Sequence, residues 1–524
     1  MGSRRGWRGK GDFAMCEERS ARLLLLISLI LLLVLPTSSS AYLDEIWLVN
    51  TDVELINGPG TIRLAGMGNL TIAIEDENNE VNLYDFTGNV ASLILDKDTR
   101  NADSWAGYST WHDSKDGVRW QDMGIWESGG LVVLRGEDYA GGASFAARLL
   151  DLYRVNDEGF RNILRIGFPI SEVAVPDTSF IDTEVTSNVV EGYYAHKLLG
   201  MAFVGARGWG SFEGDDKPVT FYYDMGSKLN DVGVGLGVVL VPFDWVQIGG
   251  SVDFGSQAVE VSSKDAFHDD LYKRERSTTT LSSHALLSLM GKVRGVMNYK
   301  HFSFDADQTL NMNWSDLYIL NPEDVDVRQK LKVSAEATEC DFFATRWIVS
   351  DLGLPLTVSG YFDLMQEEAW EYAEPNVLLW IEEYDEVMEQ WNLGGGASYH
   401  IGGKATVGME VRVNRGKQES RLPHEEGRFD FKAVDIRGGG ELRLLNWLAL
   451  RGGFSQCSEE RRMGIPENDF TATTYTVGAG CYLLENQLTV DAAFLNKVTE
   501  PEQDLGAGRE TTYQALMIYG RFLF

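Results

Sequence analysis

Long stretches of this chain alternate apolar and polar residues with a period of two. In residues 404–414, Ala405, Val407, Met409, Val411 and Val413 take the odd places. Lys404, Thr406, Gly408, Glu410, Arg412 and Asn414 take the even ones. Residues 325–337 repeat the pattern, with Val325, Val327, Leu331, Val333 and Ala335 set against Asp326, Arg328, Lys330, Lys332, Ser334 and Glu336. Val246, Ile248, Val252 and Phe254 alternate with Gln247, Ser251 and Asp253. Phe429 and Phe431 hand over to Val434, Ile436, Leu442 and Leu444, a change of phase that predicts a β-bulge near Ala433. Period two means strands with one apolar face, and ~9–11 residues is the length a tilted strand needs to cross a bilayer. In a soluble sandwich the apolar faces would meet in a core. In a membrane barrel they face lipid and the charged faces line the lumen. Alternation by itself fits both.

The spacing of turns separates the two. Short turns fall near residues 403, 446 and 486, about 40 residues apart, which leaves room for one strand up, a long loop and one strand down. Trp245, Trp447 and Tyr399 stand beside such turns, where an interfacial aromatic belt belongs. The expectation is an all-β fold: a transmembrane antiparallel β-barrel. Alternating runs counted from about Gly142 give about 14 strands, within a range of 12 to 18. Residues 94–140, with Trp105, Trp111, Trp120 and Trp126, hold the first strand or extend the segment before it. The longer connections are acidic. Residues 367–389 carry nine Asp or Glu among four Trp and Tyr, read as an extracellular loop with a short helix. Asp305, Asp307, Glu323, Asp324 and Asp326 crowd another connection. Neither shows a fixed ligand spacing, so no metal and no cofactor is expected.

The first 41 residues are of another kind. Arg4, Arg5, Arg8, Lys10, Arg19 and Arg22 precede an apolar run at 23–35, followed by Pro36 and small residues up to Ala41. This is the order of a cleaved signal peptide, too short in its apolar part to span a bilayer as a helix. Met15 is an alternative start. The whole chain has 46 Lys and Arg against 78 Asp and Glu. Without residues 1–41, six basic and three acidic residues fewer, 40 stand against 75 and the net charge is −35. Such a chain does not take nucleic acid or anionic lipid as its main partner. Cys340, Cys457 and Cys481 remain, an odd set that makes no disulfide framework. Hairpin register sets Cys457 opposite about Thr471, so it is not paired with Cys481. No nucleophile motif stands beside any of the seven histidines, and no enzymatic activity is expected.

Residues 62–93 carry a motif: Gly66-Met67-Gly68, then Ala73, the acidic pair Asp76 and Glu77, and Asn89-Val90-Ala91-Ser92-Leu93. It resembles the N-terminal segment of FadL-type outer-membrane proteins, which include long-chain fatty-acid and hydrocarbon transporters and the related shuttle barrels of type IX secretion. Val90 stands where that family has proline. The resemblance implies a 14-stranded barrel with a small plug in its lumen, hence a signal peptide at 1–41, a plug at 42–98 and a barrel at 99–524. It also implies that Gly66 and Gly68 allow close backbone approach, and that Asp76, Glu77 and Asn89 bond to the wall. The wall offers Arg328, Lys330, Lys332, Arg412, Arg437 and Arg443 on the charged faces.

Function follows as an expectation: a FadL-like outer-membrane channel for hydrophobic small molecules. The charged inner faces weaken the case for an oily tunnel along the axis. They keep open a general or cation-favouring diffusion pore, and a barrel serving as secretion adaptor or surface-binding protein. The expected partners are outer-membrane lipid, the outer-membrane assembly machinery and a hydrophobic small molecule. The last strand places Leu516, Ile518, Phe522 and Phe524 on one face. That face is expected to meet lipid, and it resembles the sorting signal that the assembly machinery reads.

Overall fold

A computed structural model describes residues 61–74, 89–91, 101–115, 118–155, 183–215, 218–220, 223–264, 269–289, 292–314, 327–331, 336–350, 354–372, 383–422, 425–463, 465–484, 486–501 and 510–523. The signal-peptide reading, Asp76, Glu77, Leu93, Lys332 and Phe524 lie outside the described residues.

One short helix, α1 (Thr61–Ala65), precedes the strands. The first strands are β1 (Asn101–Lys115), β2 (Val118–Arg135), β3 (Tyr139–Val155), β4 (Thr183–Leu199) and β5 (Ala202–Asp215). There follow β6 (Pro218–Thr220), β7 (Tyr223–Phe243), β8 (Val246–Lys264), β9 (Asp269–Leu289) and β10 (Val293–Trp314). The next are β11 (Val327–Leu331), β12 (Glu336–Val349), β13 (Leu356–Tyr372), β14 (Glu383–Ile401) and β15 (Ala405–Leu422). The last are β16 (Glu425–Leu445), β17 (Leu448–Met463), β18 (Ile465–Leu483), β19 (Leu488–Pro501) and β20 (Glu510–Leu523). Two of the twenty are side branches. β6 pairs with β7 alone, and β11 with the far end of β10, while β5 pairs past β6 to β7 and β10 past β11 to β12. The other 18 form one antiparallel ring, which β1 closes by pairing with both β2 and β20. Closure gives each of the 18 ring strands a neighbour on both sides, so the ring itself has no edge strand.

Alternation assigns the two faces. Val407, Met409 and Val411 are exposed on the outside of β15, while Glu410 between them is only 1% exposed. On β20, Leu516 and Ile518 point out, and Ala515, Met517, Tyr519 and Arg521 are buried within. Short turns at 402–404 and 446–447, and another near 486, link strands at one end of the ring. Tyr399 and Trp447 are exposed beside two of them, and Trp245 is exposed in a further short turn at 244–245.

Three expectations are corrected. The ring has 18 strands, not about 14. Counting from Gly142 passed over β1 and β2, two of the four strands missed, where contrast between faces is weak. The outward positions of β1 include Ser104, Ala106 and Thr110, and β2 mixes Trp126 and Val132 with Ser128 and Gly130. The register runs straight through Ala433, which faces Asn414 and Glu459. The shift lies between Arg443 and Leu445 instead. Phe429 and Phe431 therefore share the inward parity of Asp435 and Arg437. The acidic stretch at 367–389 holds no helix among its described residues. Glu367 pairs with Met388 and Glu371 with Tyr384, as β13 and β14 run on beyond the apolar band.

Candidate functional site

The inner face of the wall is not bare. Residues 61–74 lie against it from β12 round to β20, and residues 89–91 lie against β5, β7 and β8. The segment folds locally first. α1 ends in a tight reversal in which the Asn69 amide donates to the Leu64 carbonyl at 2.8 Å. Gly68 (φ 81°) and Asn69 (φ 57°) take the left-handed conformation that closes such a helix end. Gly68 is also the point of closest approach. A Cβ there would stand 3.0 Å from the Gly438 carbonyl oxygen, and a Cβ on Gly453 of the wall would collide with the Gly68 amide. Glycine on both sides lets two backbones meet. Leu64, Met67, Leu70, Ala73 and Ile74 form a buried apolar cluster, and Ile62 and Ala65 pack on Ala493, Ala515, Met517 and Tyr519.

Two buried charge clusters hold this segment. In the first, Arg63 of α1 donates from Nε to Glu441 Oε2 at 3.0 Å and from Nη2 to Oε1 at 3.2 Å. Arg451 Nε reaches the same Glu441 oxygen at 2.8 Å, Arg451 Nη1 lies 2.5 Å from Asp491 Oδ1, and Arg451 Nη2 donates to the Tyr482 hydroxyl at 2.9 Å. Two cations and two carboxylates thus balance where water is excluded, the condition under which buried charge is tolerable. In the second, Glu410 Oε2 accepts the backbone amides of Ile72 (2.8 Å) and Ala73 (3.0 Å), while its Oε1 accepts Arg412 Nη2 at 2.9 Å. Arg412 also donates to the Thr71 hydroxyl, and Arg437 Nη1 to the Asn69 carbonyl at 2.9 Å.

The other contact is uncharged. Asn89 Nδ2 donates to the carbonyls of Val238 and Gly250, both at 3.0 Å, and its Oδ1 accepts the Ala91 amide at 3.0 Å. Ala91 packs on Phe203 and Val239. Further along the wall, Arg207 Nε donates to Asp253 Oδ1 at 2.8 Å, lies 3.7 Å from Glu191, and sits over the Trp209 ring. Arg207 and Glu191 stay partly exposed, while Asp253 is buried.

Of the residues singled out by sequence, Gly66, Met67, Gly68, Ala73, Asn89 and Ala91 meet the wall in these contacts. Arg412 and Arg437 reach the segment, whereas Arg443 lies 3.6 Å from Glu441 and over Tyr482, nearer solvent. Arg328 and Lys330 lie on β11, outside the closed ring. Sequence reading looked for acids on the segment and bases on the wall. It missed Arg63 facing Glu441, and the wall carboxylates Glu410 and Asp491. The signal was present in parity, since Glu410 and Glu441 share their strand faces with Arg412 and Arg443. Among the described residues, no helix is long and apolar enough to cross a membrane, and no group of His, Cys, Asp and Glu is placed to hold a metal ion.

No protein-family model matches the chain, and no curated relative does. Among solved structures, the toluene transporter TodX of Pseudomonas putida aligns at 9% identity and TM-score 0.33, over 89% of this chain and 98% of that one. A Pseudomonas aeruginosa FadL homologue aligns at 11% identity and TM-score 0.39, over 89% and 98%. The unliganded ferric citrate transporter FecA aligns at 7% identity and TM-score 0.42, over 82% and 79%. Likenesses this distant assign neither family nor cargo.

Proposed function

We propose that this protein is an outer-membrane transport barrel for small molecules, with residues 61–74 and 89–91 belonging to a plug that occupies its lumen. The observation that carries this reading is the inverted distribution of polarity. Large hydrophobic residues such as Met409 (59% exposed) and Val234 (60%) cover the outside, while Glu410, Glu441 and Arg451 are buried within. A soluble protein has the opposite arrangement, but a wall bathed in lipid on one side and polar chain on the other has this one. Hydrophobic small molecules, the FadL-like cargo class, are the first reading of what passes, on the strength of the motif at 66–93. A water-filled, cation-favouring path is the second, favoured by the partly exposed charges of Glu191 and Arg207. Under either reading Leu516, Ile518, Phe522 and Phe524 address the strand to the assembly machinery.

The test is purification in detergent followed by planar-bilayer recording. Co-purified lipid or hydrocarbon supports the first cargo class, and a large steady conductance without it supports the second. A stable protein partner with neither favours an adaptor. A protein that stays soluble and monomeric without detergent, with no faster migration on unheated SDS gels, overturns the membrane reading.

A further inference from the structure

The outward faces of β15 and β16 change character at one height. On β15 the apolar positions Val407, Met409, Val411 and Val413 give way to Arg415 and Lys417. On β16, reading from the same end, Leu444, Leu442, Ile436 and Val434 give way to Lys432, Asp430 and Arg428. Arg415 stands ten residues beyond the start of β15, which at ~3.3 Å per residue and a ~40° tilt is about 25 Å above the short turns. That is the height of the apolar band of a membrane barrel.

Within this patch the register opposes like charges at one pair, and unlike charges at the next two outward, Lys417 with Asp430 and Glu419 with Arg428. Arg415 is the cross-strand partner of Lys432, and both are exposed. Like charges directly opposite each other destabilise a sheet pair unless something negative lies between them. Lys417 and Arg428 extend the cluster outward. The acids nearby are Glu419, Asp430 and Glu460, ion-paired with Lys417 (2.7 Å), Arg428 (2.9 Å) and Lys432 (3.5 Å), and Glu389 opposite Lys417. The tier next to the apolar band runs Trp391, Arg415, Lys432, Glu460 across four strands. Two opposed cations flanked by an indole, just where hydrocarbon ends, match a lipid whose phosphate sits at that boundary and whose chains lie along the apolar face below.

We infer that Arg415 and Lys432, supported by Lys417 and Arg428, bind the phosphorylated headgroup of a membrane lipid on the outer side of the barrel. This rests on the membrane reading above. It names a ligand of the wall, not the cargo of the lumen.

The full chain is reconstituted into nanodiscs of phosphatidylcholine containing one tenth phosphatidic acid or one tenth phosphatidylserine, and bound lipid is counted by native mass spectrometry after mild delipidation. Retention of phosphatidic acid several-fold above phosphatidylserine is expected. The double variant Arg415→Ser/Lys432→Ser should lose that preference, and the charge-keeping double Arg415→Lys/Lys432→Arg should keep it. Should Arg415→Ser/Lys432→Ser fail the heat-shift test of folding, the single variants Lys417→Ser and Arg428→Ser serve, each expected to lower retention at least twofold. Inorganic phosphate at millimolar concentration should not abolish retention. If it does, the site takes free phosphate and the lipid assignment falls. A barrel that enters nanodiscs yet shows no preference, or keeps it in Arg415→Ser/Lys432→Ser, also overturns the inference. A chain that enters no nanodisc overturns the membrane reading instead.

Discussion

The described residues of the inner segment touch the wall in two places, and the two are built differently. On the side of β15 to β19, Arg63, Glu441, Arg451 and Asp491 form a buried ionic contact, and Glu410 collects two backbone amides beside it. On the side of β5, β7 and β8, contact is made by one amide side chain, a small apolar cluster and the bare backbone of Gly205 and Gly237. The difference lies in what is lost when each fails. A broken charge contact leaves uncompensated ions in a dry place. A broken neutral contact leaves two carbonyls short of a donor, a smaller penalty. The ionic side is therefore the anchor, and the Asn89 side the part that yields first.

Breaking the anchor should have the largest effect. Glu441→Leu removes the buried carboxylate that Arg63 and Arg451 share, at a cost of about 3–5 kcal/mol to the docked arrangement. We expect protease access within residues 61–74 and raised conductance in planar bilayers, with the barrel itself still resistant to SDS before heating. Unchanged cleavage and current would mean that the ionic contact does not hold the segment.

Next in size is Gly453→Val. Its side chain would enter the space of the Gly68 backbone, and overpacking of this kind costs about 1–3 kcal/mol. The same two measurements should move in the same direction but less far. Asn89→Ala removes the donor to Val238 and Gly250 and should cost about 1 kcal/mol. It should raise protease access near residue 89 while leaving residues 61–74 protected. Loss of protection in both places would show that the two contacts act as one unit. Smallest is Arg443→Ala. Arg443 is 41% exposed and only 3.6 Å from Glu441, and such a pair contributes below ~0.5 kcal/mol. No change in cleavage or current is expected, and a large one would promote Arg443 to the anchor.

Much of the wall was legible in the sequence, because a barrel strand with an apolar outer face and a polar inner face must alternate. β15 and β16 show it residue by residue, from Val407 against Glu410 to Ile436 against Arg437. The same rule failed at β1 and β2. There small and polar residues occupy outward places, and period-two contrast fades even though the strands pair as fully as the rest. The motif at 66–93 includes residues that meet the wall, and Gly68 shows one reason for its glycines. Its positive φ and its contact with Gly453 both require the absence of a side chain.

What the sequence alone determined was periodicity: strands of bilayer length, one apolar face, short turns at one end. Alternation is a property of single strands, so it can be read along a single chain. The number of strands, their closure through β1 and β20, and the meeting of Arg63 with Glu441 across 378 positions were decided only by tertiary structure. Those features depend on which strands become neighbours. Parity shows that a charge faces inward, and only the closed ring shows which charge it meets there.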